Sequence, residues 1–401
     1  MSEEDSRLPF FTGGTIGGTG CLVLFALAAL ITRFAWTGLR HVTLVAFVTA
    51  AAVFVLTPPV IQLGRRLGAL DIPDPGSRKI HEYSVPRWGG IALYAGILIG
   101  VLSGYHSIFE VRIVLLATAP VFLVGVIDDY VSVRAGLRFL VQLAATFILI
   151  AGGIRVTFLP PTWWGHALEL GITVLWVVGI TNAVNFLDGM NGLVSGLGAG
   201  SAFAFTALAL MLNQPALAYC SAALGAACVI FLGYNTRPGR IFLGDSGSTT
   251  IGFMLAALGL LGTWSESRGQ NITSFLVPVV ILNVAIYDMI FTTVARIADG
   301  RVRTVRQWIN YTGRDHIHHR FNMLGWSHTQ TVLVVWLLNF SIALDALGLI
   351  HSTLLESLVI ALQVVLLYVF VAMLEHAALK RRGAESESES ESESESESES
   401  E

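Results

Sequence analysis

The sequence predicts an all-α, polytopic integral membrane protein, a helical bundle of about 11–12 transmembrane helices. Three observations lead to this prediction. First, 54% of the 401 residues are hydrophobic and only 13% are charged, whereas soluble domains carry about 25% charged residues. Second, the apolar residues form runs of the roughly 20 residues that a membrane-crossing helix needs. Third, Lys and Arg concentrate on alternate connections between these runs, which is the pattern of cytoplasmic loops.

Pro and Gly stand mostly at the ends of the apolar runs, so we expect helices rather than barrel strands. The expected spans are 20–37, 42–62, 88–105, 111–127, 137–152, 167–184, 193–212, 216–233, 247–263, 273–296, 329–349 and 354–377. Residues 1–41 are interpreted as an extra N-terminal segment with one span, and residues 42–383 as the main domain. Residues 384–401 are a Glu-Ser repeat that is too polar to bury surface, and we expect it to be disordered.

The acidic tail makes the net charge of the whole chain negative, although the rest of the chain is basic. It contributes nine of the 28 acidic residues, which leaves 19 against 24 basic ones. The basic residues lie mainly on one set of connections, from Arg65 to Arg382, and this bias places that set in the cytoplasm. All the polar motifs fall on the same side. We therefore expect an active site on the cytoplasmic face of the plasma (inner) membrane, and no nucleic-acid partner.

Adjacent carboxylates, Asp128 and Asp129, stand where the fourth apolar run ends. Two further acids occupy similar positions: Asp188 follows a run in Asn-Phe-Leu-Asp-Gly, and Asp245 precedes one in Gly-Asp-Ser-Gly-Ser. Acids at the ends of several membrane helices suggest one charge-handling site on one side of the membrane. The pair suits a hard cation such as Mg²⁺, or its members split roles because like charges separate their pKa values. The alternative is a solvated pair at a helix end.

Amide side chains accompany these acids. Asn182 and Asn185 share one helix face ahead of Asp188, and Asn235 precedes the Gly-rich turn that carries Asp245. Amide and carboxylate groups in such turns can read the edge of a nucleobase. Glycines at the start of a helix let backbone N–H groups approach a phosphate.

Two cytoplasmic loops offer positive donors. The first holds Arg78, Lys79 and His81, which suit phosphate groups; simple topogenic charge is the alternative. The longest loop contains Asp-His-Ile-His-His-Arg, with His316, His318, His319 and Arg320. Three histidines in four residues evoke zinc. Adjacent histidines diverge, however, and no cysteine is near, so phosphate contact is preferred over a metal site or simple packing.

Asp288, inside a late span with Arg296 two turns further on, is open to two interpretations. It is either a functional acid or helix-end polarity.

In this order, the motifs resemble those of the polyprenyl-phosphate N-acetylhexosamine-1-phosphate transferase family over residues 43–380. The Asp-Asp pair, the string Asn-x-x-Asn-x-x-Asp-Gly-x-x-Gly-Leu and the turn Gly-Asp-x-Gly-Ser carry the resemblance. His-Ile-His-His is similar to the branch that uses UDP-N-acetylglucosamine, as distinct from the related phospho-N-acetylmuramoyl-pentapeptide transferases.

The resemblance implies an enzyme that transfers N-acetylhexosamine-1-phosphate, specifically GlcNAc-1-phosphate, from a UDP-sugar to polyprenyl (undecaprenyl) phosphate in the lipid bilayer. UMP would be released, in the first lipid-linked step of cell-envelope glycan synthesis. The implied cofactor is Mg²⁺, with Mn²⁺ as a substitute, and the implied assembly is a homodimer.

The resemblance also implies residue roles. Asp128 and Asp129 would be the catalytic acid pair, one of them deprotonating the lipid phosphate or attacking as a nucleophile, and Asp245 would bind the metal together with Asp128. The substrate-binding residues would be Lys79, Asn185, Asp188, Asn235, His316, His318, His319 and Arg320. The chain departs from many relatives at Asn191, where they carry Asp, and at Ser132, where some carry a third acid.

The residues alone leave other classes of protein open. A membrane transporter of an anionic solute could use the basic loops as a binding vestibule, but it would place charged groups at mid-membrane depth. A scaffold protein would leave the Asn and Gly spacings unexplained.

Overall fold

A computed structural model describes residues 37–71, 84–103, 107–236, 239–264, 272–304, 307–308, 311, 313 and 315–375. A two-residue antiparallel ladder joins β1 (Leu70–Asp71) to β2 (Val85–Pro86), with Leu70 opposite Pro86. The helices are α1 (Thr37–Leu67), α2 (Gly89–Leu102), α3 (Phe109–Asp128), α4 (Ala135–Ala151), α5 (Trp163–Leu187), α6 (Leu193–Met211), α7 (Pro215–Asn235), α8 (Gly244–Leu261), α9 (Ile272–Ile281), α10 (Asn283–Ala298), α11 (Ile317–Met323), α12 (His328–Leu349) and α13 (Leu354–Glu375).

The structure confirms the all-α membrane class. Each expected span from 42–62 onward overlaps described helix, whereas 20–37 (except Thr37) and the Glu-Ser tail lie outside the described residues. Within the described part of the chain, seven helices are long and apolar enough to cross a membrane, or eight if one bent pair is counted. Helix α2 has only 14 residues. At about 1.5 Å per residue it is shorter than the ~30 Å hydrocarbon core, so apolarity alone overstated the number of full spans.

The expected span at 273–296 is wrong as a single helix. The chain bends by 82° between α9 and α10. Pro278 lies in α9, where proline weakens the helix ladder. At the bend, the Asn283 side-chain amide donates to the Val280 carbonyl over 2.8 Å, and the Tyr368 hydroxyl donates to the Asn283 amide oxygen. These bonds satisfy polar groups that a break inside a membrane would otherwise leave exposed to lipid.

Helix α8 occupies the middle of the bundle. Every residue from Ser246 to Leu260 is buried, and α2, α3 and α5 pack around it. Glycines allow this close approach at its first turn. A Cβ on Gly90 of α2 would stand 2.3 Å from the Gly247 nitrogen, and one on Gly125 of α3 would stand 2.5 Å from the Ser246 Cα. The N-terminal end of α8 is thereby held against the ends of its neighbours.

Candidate active site

Four acidic residues on three helices meet at one end of the bundle. Asp128 ends α3 and Asp129 follows it as the C-cap. Asp188 is the C-cap of α5, and Asp245 lies in the first turn of α8. Their side chains are close enough that the charges of Asp129 and Asp245 both act on Asp188. Residues that are far apart in sequence therefore form a single acidic cluster.

The loop before α8 is fixed by the segment before α2. The Phe242 nitrogen donates to the Pro86 carbonyl over 2.8 Å, and the nitrogens of Gly89 and Gly90 donate to the carbonyls of Phe242 and Leu243 over 3.0 Å each. Gly244 has a left-handed φ of +70°, a backbone conformation that residues with a Cβ rarely adopt. The result is a tight turn that starts α8 beside Asp129.

Asp129 holds the beginning of α8. Its two carboxylate oxygens accept hydrogen bonds from the backbone nitrogens of Asp245, at 2.7 Å, and Ser246, at 3.1 Å. Only 6% of Asp129 is exposed. Burial, followed by the charge of Asp245, raises the pKa of Asp129 to about 7, although hydrogen bonds from Ser246 and Asp245 act in the opposite direction.

Asp128 faces a different set of partners. Its Oδ1 accepts from the Val133 nitrogen and its Oδ2 from Arg138 Nη1, both over 2.6 Å. The same Nη1 lies 3.6 Å from Oδ1 of Asp245. Arg138 thus bridges two carboxylates from its position in the first turn of α4. The Asp245 side chain is 30% exposed against 6% for Asp128, so Asp245 is the more accessible of the two.

Asn185 completes this side of the cluster. Its Oδ1 accepts from the Ser248 hydroxyl over 2.6 Å, and its amide acts to lower the pKa of Asp245, which burial raises overall. Burial raises the pKa of Asp188 well above its usual range, and the charges of Asp245 and Asp129 raise it further, while Arg87 acts in the opposite direction. Arg87 therefore brings a positive charge to the acidic cluster.

Asn235 is committed to backbone contacts. Its Oδ1 accepts from the Gly192 nitrogen over 2.7 Å, and its Nδ2 donates to the Ile241 carbonyl over 3.1 Å. The side chain is 3% exposed. Asn235 therefore ties the turn after α5 to the loop before α8, and in this conformation it contributes to the shape of the site.

The histidine-containing loop is anchored to α10. Asp288 accepts from the Ile317 nitrogen at Oδ1, and its Oδ2 lies 2.6 Å from His316 Nδ1. Arg296 forms a two-point contact with Asp315, at 2.8 and 2.6 Å, and its Nη2 lies 3.3 Å from His316 Nε2. Both ring nitrogens of the buried His316 are thus engaged inside the protein.

Arg320 is also held internally, whereas His318 faces the acidic end. The guanidinium of Arg320 donates to Glu375 Oε2 over 2.8 Å and to the Asp315 carbonyl over 2.6 Å. Neither ring nitrogen of the fully buried His318 has a hydrogen-bond partner within the described part of the chain. A Cβ on Gly189 would stand 2.2 Å from His318 Nε2. The His318 ring therefore packs directly against the Asp188–Gly189 turn.

The oxygen donors of the cluster suit Mg²⁺. In the described ranges, no three His, Cys, Asp or Glu residues converge closely enough to enclose a cation. Mg²⁺ is usually held by one or two carboxylates, with water and substrate phosphates as its other ligands. Asp128 and Asp245, already bridged by a cationic group, and the neighbouring Asn185 oxygen match this requirement.

Comparisons with known proteins identify the family of this chain. Residues 111–263 match the sequence model of Glycosyl transferase family 4. The chain is 33% identical over 323 residues to the probable undecaprenyl-phosphate N-acetylglucosaminyl 1-phosphate transferase of Bacillus subtilis, covering 79% of this chain and 87% of that protein. The chain belongs to the polyprenyl-phosphate N-acetylhexosamine-1-phosphate transferase family.

Other members of the family match over a similar extent. The decaprenyl-phosphate N-acetylglucosaminephosphotransferase of Mycobacterium tuberculosis H37Rv is 31% identical over 344 residues, which cover 78% of this chain and 83% of that protein. The phospho-N-acetylmuramoyl-pentapeptide-transferase of Heliobacterium modesticaldum is 30% identical over 311 residues, which cover 73% and 92%.

The structure brings together most of the residues expected from the family motifs. Lys79 lies outside the described residues. The acidic cluster contains Asp128, Asp129, Asp188 and Asp245, with Asn185 beside it. His318 reaches the cluster through Gly189, whereas His316 and Arg320 are enclosed in contacts with other side chains and His319 is half-buried next to them. The functional roles expected for these residues remain predictions.

Sequence reasoning missed several residues that shape this candidate site. Arg138 and Arg87 were counted only as loop charges. Glu375, at the end of α13, was not considered, although a carboxylate in an apolar membrane helix indicates a paired or functional residue. Asp288 contacts His316 and the Ile317 nitrogen, so its carboxylate anchors the histidine-containing loop, and its role as a functional acid stays a prediction.

Proposed function

We propose that this protein transfers N-acetylglucosamine-1-phosphate from UDP-N-acetylglucosamine to a polyprenyl phosphate in the plasma membrane and releases UMP. The observation that carries the proposal is the meeting of Asp128, Asp129, Asp188 and Asp245 at one end of the bundle. The names of the relatives support the sugar and the lipid acceptor. The basic connections on that side support a cytoplasmic location for the site.

The reaction joins two anionic substrates. An oxygen of the polyprenyl phosphate attacks the phosphorus that bears the sugar. The bond between that phosphorus and the oxygen bridging to the uridine phosphate breaks, the bridging oxygen leaves with UMP, and a polyprenyl-diphosphate-sugar forms. Enzymes accelerate such transfers mainly by positioning the reactants and by stabilising developing charge. The site must therefore supply cationic groups close to the phosphates.

The chain's own residues can supply these functions. Arg138, already shared between Asp128 and Asp245, and Arg87, which acts electrostatically on Asp188, place positive charge where the phosphates would enter. Asp245 and Asp128 would hold Mg²⁺, with Mn²⁺ as a substitute. The bound cation would offset negative charge on the phosphate oxygens. His318, whose ring nitrogens have no hydrogen-bond partner among the described residues, is placed to bind a sugar or phosphate oxygen at the Asp188–Gly189 turn.

Location at the end of the bundle suits a lipid substrate. The polyprenyl tail can stay in the bilayer beside exposed apolar residues such as Leu123 and Ile127 on α3, while its phosphate reaches the acids that end the same helix. The nucleotide sugar would approach from the aqueous side. A homodimer remains an expectation from the family.

The direct test measures UMP release from UDP-N-acetylglucosamine by purified protein in detergent. Polyprenyl phosphate and Mg²⁺ are each added and omitted. We expect release only when both are present, and no release from Asp128→Asn or Asp245→Asn. Asp299→Asn is the matched control, because Asp299 is an exposed carboxylate paired only with the exposed Arg301 in the described structure and such pairs contribute little.

The controls also separate the alternatives. UMP release that is independent of lipid would indicate a hydrolase. Uptake of UDP-N-acetylglucosamine into proteoliposomes without UMP formation would indicate an anion transporter. Either result would remove the proposed transfer reaction.

A further inference from the structure

The two adjacent aspartates point in different directions. Consecutive residues at a helix end project about 100° apart, because an α-helix has 3.6 residues per turn. Asp128 turns toward Arg138 and Val133 of the following segment. Asp129 turns toward the first turn of α8. The side chains therefore do not aim at the same atom, and the structure gives the two members of the pair different partners.

The first turn of α8 lacks a local cap. The residue at its N-cap position is Leu243, which has no side-chain acceptor. Helices leave their first N–H groups without intrahelical partners, and an N-cap side chain normally accepts from the second and third helical residues. In α8 these residues are Asp245 and Ser246, and their N–H groups are the two that donate to Asp129.

Close packing places the Asp129 carboxylate against the first turn of α8. A Cβ on Gly244 would stand 2.6 Å from each Asp129 oxygen, and a Cβ on Gly125, one turn before Asp129, would meet Ser246. Both glycines allow the end of α3 and the start of α8 to approach within hydrogen-bonding distance. The carboxylate is enclosed at this junction and only 6% of Asp129 is exposed.

We propose that Asp129 is a positioning residue that caps α8 from another helix and so fixes the Asp245 carboxylate, whereas Asp128 has no contact with the first N–H groups of α8 in the described structure. This inference rests on the proposed function for the reaction itself, but the cap is a property of the protein alone. Asp129 then acts on catalysis through Asp245. Loss of its side chain displaces the first turn of α8 rather than removing a proton acceptor from the reaction.

The test is hydrogen–deuterium exchange of the full-length protein in detergent, followed on peptides that contain residues 243–249. The variants are Asp129→Ala, Asp129→Asn and, as a control with the same loss of charge, Asp128→Asn. We expect exchange in this segment to accelerate about tenfold in Asp129→Ala, because both amides lose their acceptor. Asp129→Asn keeps one oxygen acceptor and should show a smaller acceleration. Asp128→Asn should exchange at the wild-type rate.

A second readout follows the consequence for Asp245. Binding of Mn²⁺, measured by electron paramagnetic resonance, should weaken more in Asp129→Ala than in Asp129→Asn, because the carboxylate of Asp245 is no longer held in place. Wild-type exchange in Asp129→Ala, or equal acceleration in Asp128→Asn, would overturn the cap. Wild-type protein that releases no UMP and binds no Mn²⁺ would instead remove the proposed function, and the exchange rates would still decide whether Asp129 caps α8.

Discussion

Substituting Gly244 by alanine should disable the enzyme while leaving the bundle folded. Gly244 has a φ of +70°, and an added Cβ would stand 2.0 Å from the Arg87 carbonyl and 2.6 Å from each Asp129 oxygen. Ordinary contacts begin at 3.4 Å, so the Arg87 carbonyl and the turn must separate by more than 1 Å. The left-handed backbone costs about 1–2 kcal/mol for a residue with a Cβ, and crowding adds about 1–3 kcal/mol.

Substitutions at two other glycines distinguish the cost of the left-handed backbone from the cost of steric crowding. Gly153 has a φ of +82° but open space around it, and Gly233 lies on the exposed side of α7 with nothing near its would-be Cβ. Gly153→Ala should therefore lose only the conformational part, about 1–2 kcal/mol. Gly233→Ala should be neutral or stabilising by about 0.5–1 kcal/mol, because alanine favours a helix over glycine.

The assay combines thermal unfolding in detergent with lipid-dependent UMP release. Gly244→Ala should unfold at a lower temperature than the other two variants. It should also lose about 100-fold in turnover, the usual cost of a 1 Å displacement in an active site. Turnover should persist in Gly153→Ala and Gly233→Ala. Near wild-type turnover in Gly244→Ala would refute the argument that this turn sets the position of Asp245.

Three further predictions concern charge. Asp188→Asn should raise the unfolding temperature in EDTA at pH 8. The folded-state pKa of Asp188 is raised, so ionising this carboxyl destabilises the folded protein. This destabilisation grows as the pH rises above the unfolded-state pKa and vanishes at lower pH. The difference in unfolding temperature between Asp188→Asn and wild type should therefore shrink toward pH 4. Glu375→Gln should lower the unfolding temperature, because Arg320 is only 4% exposed and removing one partner of a buried ion pair costs about 3–5 kcal/mol. The control is Glu110→Gln, a change at an exposed carboxylate. An equal fall in unfolding temperature for both variants would contradict this interpretation. Mg²⁺ should raise the unfolding temperature of the wild type but not of Asp245→Asn, and an equal rise in both would place the ion elsewhere.

The sequence predicted the convergence of the site because each acid was tied to a helix end. Asp128, Asp188 and Asp245 were all adjacent to apolar runs, and helix ends on one side of a membrane can meet in a bundle. The side chains that organise the cluster were harder to predict. Arg138 stands ten residues after Asp128 and resembles ordinary loop charge, and its bridge to Asp245 depends on how α4 packs.

The same limit applies to the helix break and to the histidine loop. Pro278 alone did not predict the 82° bend, because proline is tolerated in membrane helices where neighbouring groups satisfy the backbone. Here the Asn283 amide donates to the Val280 carbonyl, and Tyr368 holds the Asn283 side chain. The sequence analysis predicted a substrate-binding role for all three histidines of this loop. His316 lies against Asp288, 28 residues away, a contact that neither local pattern nor spacing reveals.

The hydrogen bond between Asp129 and the Asp245 nitrogen spans 116 residues. During synthesis, Asp129 leaves the ribosome well before its partner, and α4 to α7 must be made in between. Until α8 arrives, the carboxylate at the end of α3 has to remain in contact with water at the membrane surface. The acidic cluster is therefore among the later parts of the nascent protein to form, and a polypeptide truncated before Gly244 would insert most of its helices without ever assembling it.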